Sequence, residues 1–456
     1  MSRLKRSKRS RRSSLGAVAA IAFCGTWLCS AAVAGMAENA ARSRIDGIDL
    51  VTYHTDVKDV VSILGALPAG DVFGDSGNAA VPTLTGMMLD RGTKALDKFT
   101  IAQQLENVGA QISFSVGTQS LEIHAKCLKK DLNLVLGLLA AELRTPAFSA
   151  QEFAKAKQQF IGMLQTSLQN TEARSGQAFS RAVFPEGHPN HPHTIEELIA
   201  AAKAASLDDV KAFHAKLYGP EHMTLVLVGD VTMPAAEDGV GKTFAGWTGG
   251  HDFVRPRQPA AAATAPGPAI VVALPDKTSV SILLGQATGL RYKDPDALAL
   301  RVGTAVLGRG FTGRLMSVVR DKEGLTYNIG AGIVEDTLTD GAWELSASFA
   351  PALLEKGVAA GRREVQTWWQ DGVTDKELTL RKQGLIGSYL VGLATTNGVA
   401  GAILVAIQRG YDLDWLDEYP RAVEALTREQ VNAAIKNHLN PATMDLVEAG
   451  SIPAAH

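Results

Sequence analysis

An internal duplication constrains the fold of this chain more than any single motif does. Residues 206–231 (SLDDVKAFHAKLYGPEHMTLVLVGDV) align without a gap with residues 427–452 (TREQVNAAIKNHLNPATMDLVEAGSI), 221 positions later. An earlier pair of segments, beginning at Ser149 and Thr374, aligns at a distance of 225 positions. Because self-similarity at a long period indicates one structural unit built more than once, we expect two homologous domains.

The earlier pair of segments begins with a pattern typical of helix starts. The patterns are Ser149-Ala-Gln-Glu152 and Thr374-Asp-Lys-Glu377. In such a capping box the hydroxyl and the carboxylate satisfy backbone N–H groups that the first helical turn leaves unpaired. We therefore predict a capping box at the start of both helices.

Hydrophobic patterning in each copy predicts strands first and helices afterwards. Alternating stretches lie at 60–67, 111–125, 269–286 and 327–349, and helical patterns lie at 132–143, 150–169, 352–369 and 376–395. Runs of strands followed by runs of helices favour an α+β fold, with an antiparallel-rich sheet covered on one face by helices in each domain. A Pro/Ala-rich stretch without periodicity predicts a linker at 251–268, and hence domains at 45–250 and 269–453.

The first 34 residues have the composition of a signal peptide. They contain seven Lys or Arg and no acid, then an apolar run from Leu15 to Cys29, then Ala32-Val-Ala34 as a cleavage site. The apolar run is too short for a comfortable membrane span, which disfavours the alternative of a permanent anchor. We expect the chain to be exported to the periplasm. The sequence does not distinguish the general secretory route from the twin-arginine route.

The remaining chain is acidic and holds one cysteine. Without residues 1–34 it has 38 basic and 47 acidic residues, a formal net charge of −9, which argues against nucleic acid as a partner. No later stretch approaches the roughly 20 apolar residues of a transmembrane helix, so no stable membrane span is expected. Cys127 stands alone in an apolar-alternating stretch, and we expect a buried thiol rather than a nucleophile.

Residues 307–332 (LGRGFTGRLMSVVRDKEGLTYNIGAG) combine a Gly-rich turn, an Arg-Leu pair, a Val-Arg pair, a Gly-Leu pair and a Tyr. This stretch resembles the C-terminal-domain signature of the insulinase/pitrilysin zinc metallopeptidases. In the first copy, residues 60–70, 77–93, the helix after Phe148 and residues 184–194 (FPEGHPNHPHT) are similar to that family as well. The resemblance extends over about 400 residues and implies the duplicated peptidase fold.

Catalytic members of that family carry His-x-x-Glu-His on a helix of the first domain, where two imidazoles bind zinc and the carboxylate activates water. In this chain the corresponding positions hold Thr83, Gly86 and Met87, and the distal glutamate should fall near Gly162. Residues 154–171 contain no acid. The resemblance therefore implies that this chain binds no metal or other cofactor, and that zinc belongs to a partner subunit.

A second group of histidines offers an alternative metal site. His188, His191 and His193 lie close together in sequence, and Glu196 and Glu197 follow them. Pro189 and Pro192 prevent this segment from being the helix that would align the ligands. A structural role for these histidines is favoured over an unorthodox metal site.

The resemblance also implies a role for Arg320 and Tyr327, seven positions apart in the second domain. The family uses such a pair to hold the substrate backbone and to stabilise charge at the scissile carbonyl, a task for which fixed hydrogen-bond donors are suited. The alternative is structural, with Arg320 paired to Asp321 or Glu323 and Tyr327 at the end of a strand. We predict that Arg320 and Tyr327 serve in both catalysis and substrate binding.

These expectations lead to three functional hypotheses. The first is a non-metal-binding subunit that joins a homologous zinc-bearing chain, in a heterodimer or larger assembly, and completes its active site for peptide substrates. The second is a catalytically dead homologue that acts as a structural or peptide-binding protein. The third is independent activity through the histidine group at 188–193.

Overall fold

A computed structural model describes residues 35–74, 78–250 and 267–452. The predicted signal peptide at 1–34 and positions 251–266 of the predicted linker lie outside the described residues. Within the described ranges, no single helix is long and apolar enough to cross a membrane. Helices Asp375–Gly392 and Thr396–Gln408 fit by length and composition only as a pair bent by 114°.

The first half of the chain forms a six-stranded mixed sheet. Its strands are β1 (Ala40–Ile45), β2 (Ile48–His54), β3 (Val60–Leu67), β4 (Gln111–Val116), β5 (Leu121–Leu128) and β6 (Thr224–Gly229). The spatial order is β1-β2-β6-β3-β5-β4, and only β2 and β6 run parallel. In β5 the burial of side chains alternates strictly, as the sequence pattern predicts for a strand with one buried face.

The second half forms a five-stranded sheet. Its strands are β7 (Ile270–Ala273), β8 (Val280–Ala287), β9 (Thr326–Val334), β10 (Ala342–Phe349) and β11 (Asp445–Gly450). The order β7-β11-β8-β10-β9 repeats the order β2-β6-β3-β5-β4 of the first sheet, and again only the pair of outer strands β7 and β11 is parallel. The α+β fold with two equivalent sheets is therefore confirmed.

The helices follow the same repeat. In the first half they are α1 (Val81–Leu89), α2 (Lys98–Asn107), α3 (Leu132–Arg144), α4 (Ala150–Ser167), α5 (Thr171–Val183), α6 (Ile195–Ala204), α7 (Leu207–Leu217) and α8 (Met233–Phe244). In the second half they are α9 (Ala297–Gly308), α10 (Leu354–Asp371), α11 (Asp375–Gly392), α12 (Thr396–Gln408), α13 (Trp415–Ala425) and α14 (Arg428–His438). Chain order and sheet position make α1 equivalent to α9, and α3–α7 equivalent to α10–α14.

One predicted capping box forms and the other does not. At α11, Thr374 accepts a hydrogen bond from the backbone of Glu377, and the Glu377 carboxylate accepts one from the Thr374 backbone. At α4, Ser149 makes no side-chain cap bond, so that prediction was wrong. The physical reason is that the Glu152 carboxylate turns away to Lys98 and Lys155, each at 2.8 Å.

In addition, one helix of each half packs against the sheet of the other half. Helix α12 packs on the first sheet, where Val399, Ala400 and Ile403 share a buried cluster with β2, β3 and β6. Helix α5 packs on the second sheet, where Phe179 and Val183 share a cluster with β8, β10 and β11. We call α5 and α12 the exchanged helices. Each sheet is thus covered on both faces, which goes beyond the single helical layer predicted from the sequence.

Equivalent hydrogen bonds mark the two exchanges. The hydroxyls of Thr396 on α12 and Ser62 on β3 are 2.8 Å apart, and those of Thr171 on α5 and Ser281 on β8 are also 2.8 Å apart. Thr171 and Thr396 are separated by the 225 positions of the sequence repeat. The duplication therefore repeats the hydroxyl–hydroxyl contact between an exchanged helix and the sheet it covers, in addition to the sheet and helices of each half.

Cys127 and Glu142 are ionisable side chains buried in the first half of the chain. Cys127 on β5 is 3% exposed, and burial raises the pKa of its thiol to about 12, in agreement with the expected inert thiol. Glu142 on α3 is 2% exposed, and its Oε2 has no hydrogen-bond partner among the described residues. Burial, followed by the charge of Asp90, raises the pKa of Glu142 to about 8.

Glu142 is expected to make the protein less stable as the pH rises. Its carboxyl is protonated in the folded chain up to pH about 8 but ionises near 4.5 when unfolded, so stability falls between these two values. Replacing Glu142 by Gln removes this slope, worth about 1.36 kcal/mol for each unit of pKa difference. Urea unfolding at pH 4.5 and 8.5 measures the effect. The exposed Glu172→Gln is the control, and an equal pH slope in the Glu142→Gln variant would contradict the assignment.

Candidate functional site

Helix α1 carries the three positions at which the family resemblance places the zinc motif. The Thr83 hydroxyl donates to Asp71 at 2.9 Å, and Met87 packs against the first core. Gly86 lies so close to the edge strand β4 that a Cβ atom there would meet Val116 at 2.4 Å. A carboxylate at position 86 would therefore require movement of Val116. The position at which the resemblance places the catalytic base thus holds a glycine, and the packing of Val116 leaves no room for a larger side chain.

The position expected for a distal metal ligand is Gly162 on α4. A Cβ atom at this glycine would meet nothing within 4 Å, so the position is open and has no side chain to offer. Across residues 35–74, 78–250 and 267–452, no three His, Cys, Asp or Glu side chains lie close enough together to hold a metal ion. The residues present on α1 and α4 do not fit a zinc ion of the family type.

His188 lies in a buried hydrogen-bond network between the halves. Its Nε2 is 2.8 Å from Asp340 of the second half, its Nδ1 accepts from the backbone N–H of Asn190 at 3.0 Å, and its ring stacks on Phe184. Asn190 in turn donates to the backbone oxygens of Glu335 and Asp340. Both ring nitrogens of His188 are therefore engaged, and the segment joins the first half to the loop between β9 and β10.

The other two histidines of this segment point to different partners. His191 Nδ1 is 2.8 Å from the Phe184 carbonyl oxygen. His193 is exposed, with its Nδ1 at 3.8 Å from Glu197, which caps α6 together with Thr194. The three side chains do not converge on one point, because Pro189 and Pro192 keep the segment out of a helix. The geometry disfavours the hypothesis of a metal site here.

Arg320 and Tyr327 lie together on the surface of the second half. Arg320 belongs to a π-helical segment at Met316–Lys322, and Tyr327 is the second residue of β9. The guanidinium carbon of Arg320 is 5.2 Å from the ring centroid of Tyr327 and also 5.2 Å from that of Phe311. Short π-helical segments are frequent at functional sites, and here the segment brings the guanidinium within cation–π distance of two aromatic rings.

This cluster of Phe311, Arg320 and Tyr327 is open to solvent. Tyr327 is 82% exposed and Phe311 is 70% exposed, values far above those of packing aromatics. Arg320 makes one weak ion pair, at 3.3 Å to Asp321, while Glu323 pairs with Arg363 instead. The pairing of Arg320 with Asp321, which the structural alternative predicts, is present, yet most of the donor capacity of the guanidinium is left for another group.

The cluster borders an edge strand. β9 pairs with β10 on one side, and no strand pairs with its other side in the described part of the chain. An extended peptide can add to such an edge through backbone hydrogen bonds. A segment added to β9 would therefore pass close to the Tyr327 phenol and the Arg320 guanidinium.

Another residue of the Gly-rich signature has a structural role. Arg314 forms two hydrogen bonds with the Glu377 carboxylate, at 2.6 and 2.7 Å, and a third with the Gly372 carbonyl oxygen. The hydrogen bonds from Arg314 to the Glu377 carboxylate are the largest cause that lowers the pKa of Glu377 to about 2, and the bonds from Thr374 contribute less. Arg314 thus fixes the start of α11 against the turn that precedes Arg320 and Tyr327.

Sequence reasoning missed two parts of this region. Phe311 completes the stack on Arg320, and its place between Gly310 and Gly313 was a signal, since an apolar side chain in a tight turn is seldom buried. Asp340, the partner of His188, gave no signal because it is 152 positions away in the chain.

The comparisons with known proteins agree with this geometry. Residues 204–385 match a family model described as the peptidase M16 inactive domain. An uncharacterized zinc protease of Mycobacterium leprae is 23% identical over 77% of this chain and 78% of its own length. The crystal structure of a peptidase M16 inactive domain from Pseudomonas fluorescens superposes with a TM-score of 0.84 at 25% identity, over 92% of this chain and 99% of that one. This chain therefore resembles the M16 peptidases, and its match to their inactive domain covers residues 204–385.

Inactive homologues are among the proteins that this chain resembles. A relative from Helicobacter pylori, named non-peptidase homolog YmxG, is 22% identical over 84% of this chain and 87% of its own length. α1 and α4 are both present, and the positions at which the resemblance places the zinc-binding groups hold Thr83, Gly86, Met87 and Gly162. The recognition of an insulinase/pitrilysin-type chain without its zinc motif is therefore confirmed.

Proposed function

We propose that this chain is the non-metal-binding subunit of an exported, two-component zinc peptidase. In this proposal a homologous partner supplies the zinc ion and the catalytic water, and this chain supplies Arg320 and Tyr327. The observation that supports it is the exposed cluster of Phe311, Arg320 and Tyr327 beside an unpaired edge strand, in a chain whose own metal positions are degenerate.

The chemistry suits two fixed donors. A peptide lying along β9 presents carbonyl oxygens, and the carbonyl that is attacked develops negative charge in the transition state. The Arg320 guanidinium and the Tyr327 hydroxyl can both donate hydrogen bonds to such oxygens. The cation–π contacts with Phe311 and Tyr327 restrict the guanidinium, so less freedom is lost when it engages the substrate.

Co-purification from the exported fraction tests this proposal. We expect the tagged chain to retain a homologue that carries His-x-x-Glu-His and about one zinc ion per complex, and the complex to cleave unfolded peptides. The chain alone is expected to be inactive. Retention of a homologue without the zinc motif, or a complex without peptidase activity, would contradict the proposal.

A second candidate is a catalytically dead homologue that binds peptides or has a structural role. The name of the Helicobacter pylori relative favours it, and so does the ion pair of Arg320 with Asp321. It differs from the first candidate in one measurable respect, because Tyr327→Phe would then leave every activity of the complex unchanged. A loss of turnover in that variant, with the complex intact, would exclude it.

A further inference from the structure

The second half contains a cleft of about 590 Å³ between α9, β9 and β10, a volume within the range of small-ligand sites. Its walls include small residues of α9 and β9, among them Gly308, Gly330 and Gly332, which leave room for a peptide main chain. Gly308 cannot be larger, since a Cβ atom there would meet the backbone of Ala331 at 2.1 Å. We call this space the arginine cleft after the charged residues that line it.

Two guanidiniums in the arginine cleft lie against one aromatic ring. The guanidinium carbon of Arg409 is 3.4 Å from the ring centroid of Tyr292, and that of Arg301 is 4.3 Å from it. Arg301 forms an ion pair with Asp336, and its buried Nε has no hydrogen-bond partner among the described residues. Arg409 donates to the Thr337 hydroxyl at 3.4 Å.

The positive charge of the cleft exceeds the negative charge that faces it. Arg301, Arg309 and Arg409 line the space, whereas the single carboxylate paired to any of them in the described chain is that of Asp336. Glu344 also lines the cleft, and burial and then the charge of Glu335 raise the pKa of its carboxyl. Even with Glu344 counted as ionised, three guanidiniums stand against the two carboxylates of Asp336 and Glu344. Like charges held close together with little solvent are costly unless an anion offsets them.

The position of the cleft follows from the duplication. α9 and β9 of the second half correspond to α1 and β4 of the first half, and α11 corresponds to α4. The cleft therefore occupies, in the second half, the place where the resemblance puts zinc in the first half of catalytic relatives. Here the space holds guanidiniums instead of metal ligands, so the group that suits it is an anion rather than a cation.

We propose that the arginine cleft binds a carboxylate of a peptide, with the Arg409 and Arg301 guanidiniums as donors. A guanidinium presents paired donors that match the two oxygens of a carboxylate. β9 connects the cleft to the surface cluster, because Gly330–Ile333 line the cleft and Tyr327 lies at the start of the same strand. Carboxylate-bearing peptides are then the substrate class of the complex, an extension that rests on the proposed function.

The carboxylate has two sources in a peptide, and three probes separate them. The probes are an alanine hexapeptide with a free C-terminus, the same peptide as a C-terminal amide, and an amide with one internal glutamate. Each carries the uncharged dye nitrobenzoxadiazole at its N-terminus, and binding to the full chain is followed by fluorescence anisotropy. At least one carboxylate probe is expected to bind ten-fold or more tighter than the neutral amide, and the tighter one identifies the source.

Variants locate the binding. Arg409→Gln is expected to weaken the preferred probe by ten-fold or more and Arg409→Lys by less, because Lys keeps the charge but loses the paired donors. Arg428→Gln, at an exposed ion pair with Asp375, is the matched control and should change nothing. Equal binding of all three wild-type probes, an unchanged preference in Arg409→Gln, or stronger competition by inorganic phosphate than by acetate would overturn the proposal. None of these assays needs the partner subunit, so this inference and the proposed function can fail separately.

Discussion

Replacing Arg320 by Ala is expected to lower the turnover of the proposed two-chain peptidase by about 10²–10³-fold while the complex stays assembled. In the proposed function the guanidinium donates to oxygen atoms that gain charge only in the transition state, so kcat should fall more than KM changes. Steady-state hydrolysis of a quenched fluorescent peptide measures this, with size-exclusion chromatography to verify the complex.

The matched control for that experiment is Arg428→Ala, which removes an exposed arginine of α14. It should leave kcat and KM unaltered. Tyr327→Phe should lie between the two, since the ring remains to stack on Arg320 and only the hydroxyl is lost. Wild-type turnover in the Arg320→Ala complex would show that the cluster has no part in the reaction.

Replacing Phe179 by Ala is expected to cost about 3–5 kcal/mol of unfolding free energy, the range for large aromatic side chains in cores. Phe179 is 1% exposed on the exchanged helix α5, and its ring faces Gly285, where even a Cβ atom would approach it to 2.9 Å. The cavity would open where the first half covers the sheet of the second half. Denaturant unfolding with near-equal m values measures the loss.

Phe99 provides a control of the same residue type. It is 75% exposed on α2, so Phe99→Ala should change the unfolding free energy by no more than about 0.5 kcal/mol. If Phe179→Ala lowered the unfolding free energy no more than Phe99→Ala does, the packing of α5 on the second sheet would contribute little to stability. If Phe179→Ala unfolded the second half alone, in a separate transition, the two halves would be less strongly coupled than their contacts indicate.

Much of the layer structure could be predicted because the sequence repeats it. The matching segments at 206–231 and 427–452 become α7 with β6 and α14 with β11, in equivalent places of the two sheets. The exchange of α5 and α12 could not be predicted, since periodicity shows that a helix buries one face but not which sheet receives it. For the same reason the cap at Ser149 was wrong, because Lys98, distant in sequence, competes for Glu152.

The two candidate sites also differ in how far the sequence alone could predict them. Arg320 and Tyr327 lie seven positions apart, so a local motif was enough to propose them, and their distance to each other follows from the step between a π-helical segment and β9. The arginine cleft joins Tyr292 and Arg301 to Arg409, which lies more than 100 positions later in the chain. Such a group leaves no local pattern, and only the folded chain brings its members together.

The most direct test of the central claim is peptidase activity measured on the separate chains and on their mixture. The chain is purified alone, incubated with zinc, dialysed and analysed for metal, and then titrated with its His-x-x-Glu-His homologue. We expect no stoichiometric zinc on this chain, no hydrolysis by it, and activity that rises with added partner to a fixed stoichiometry. Stoichiometric zinc with hydrolysis by this chain alone, or a partner whose full activity is indifferent to it, would contradict the account.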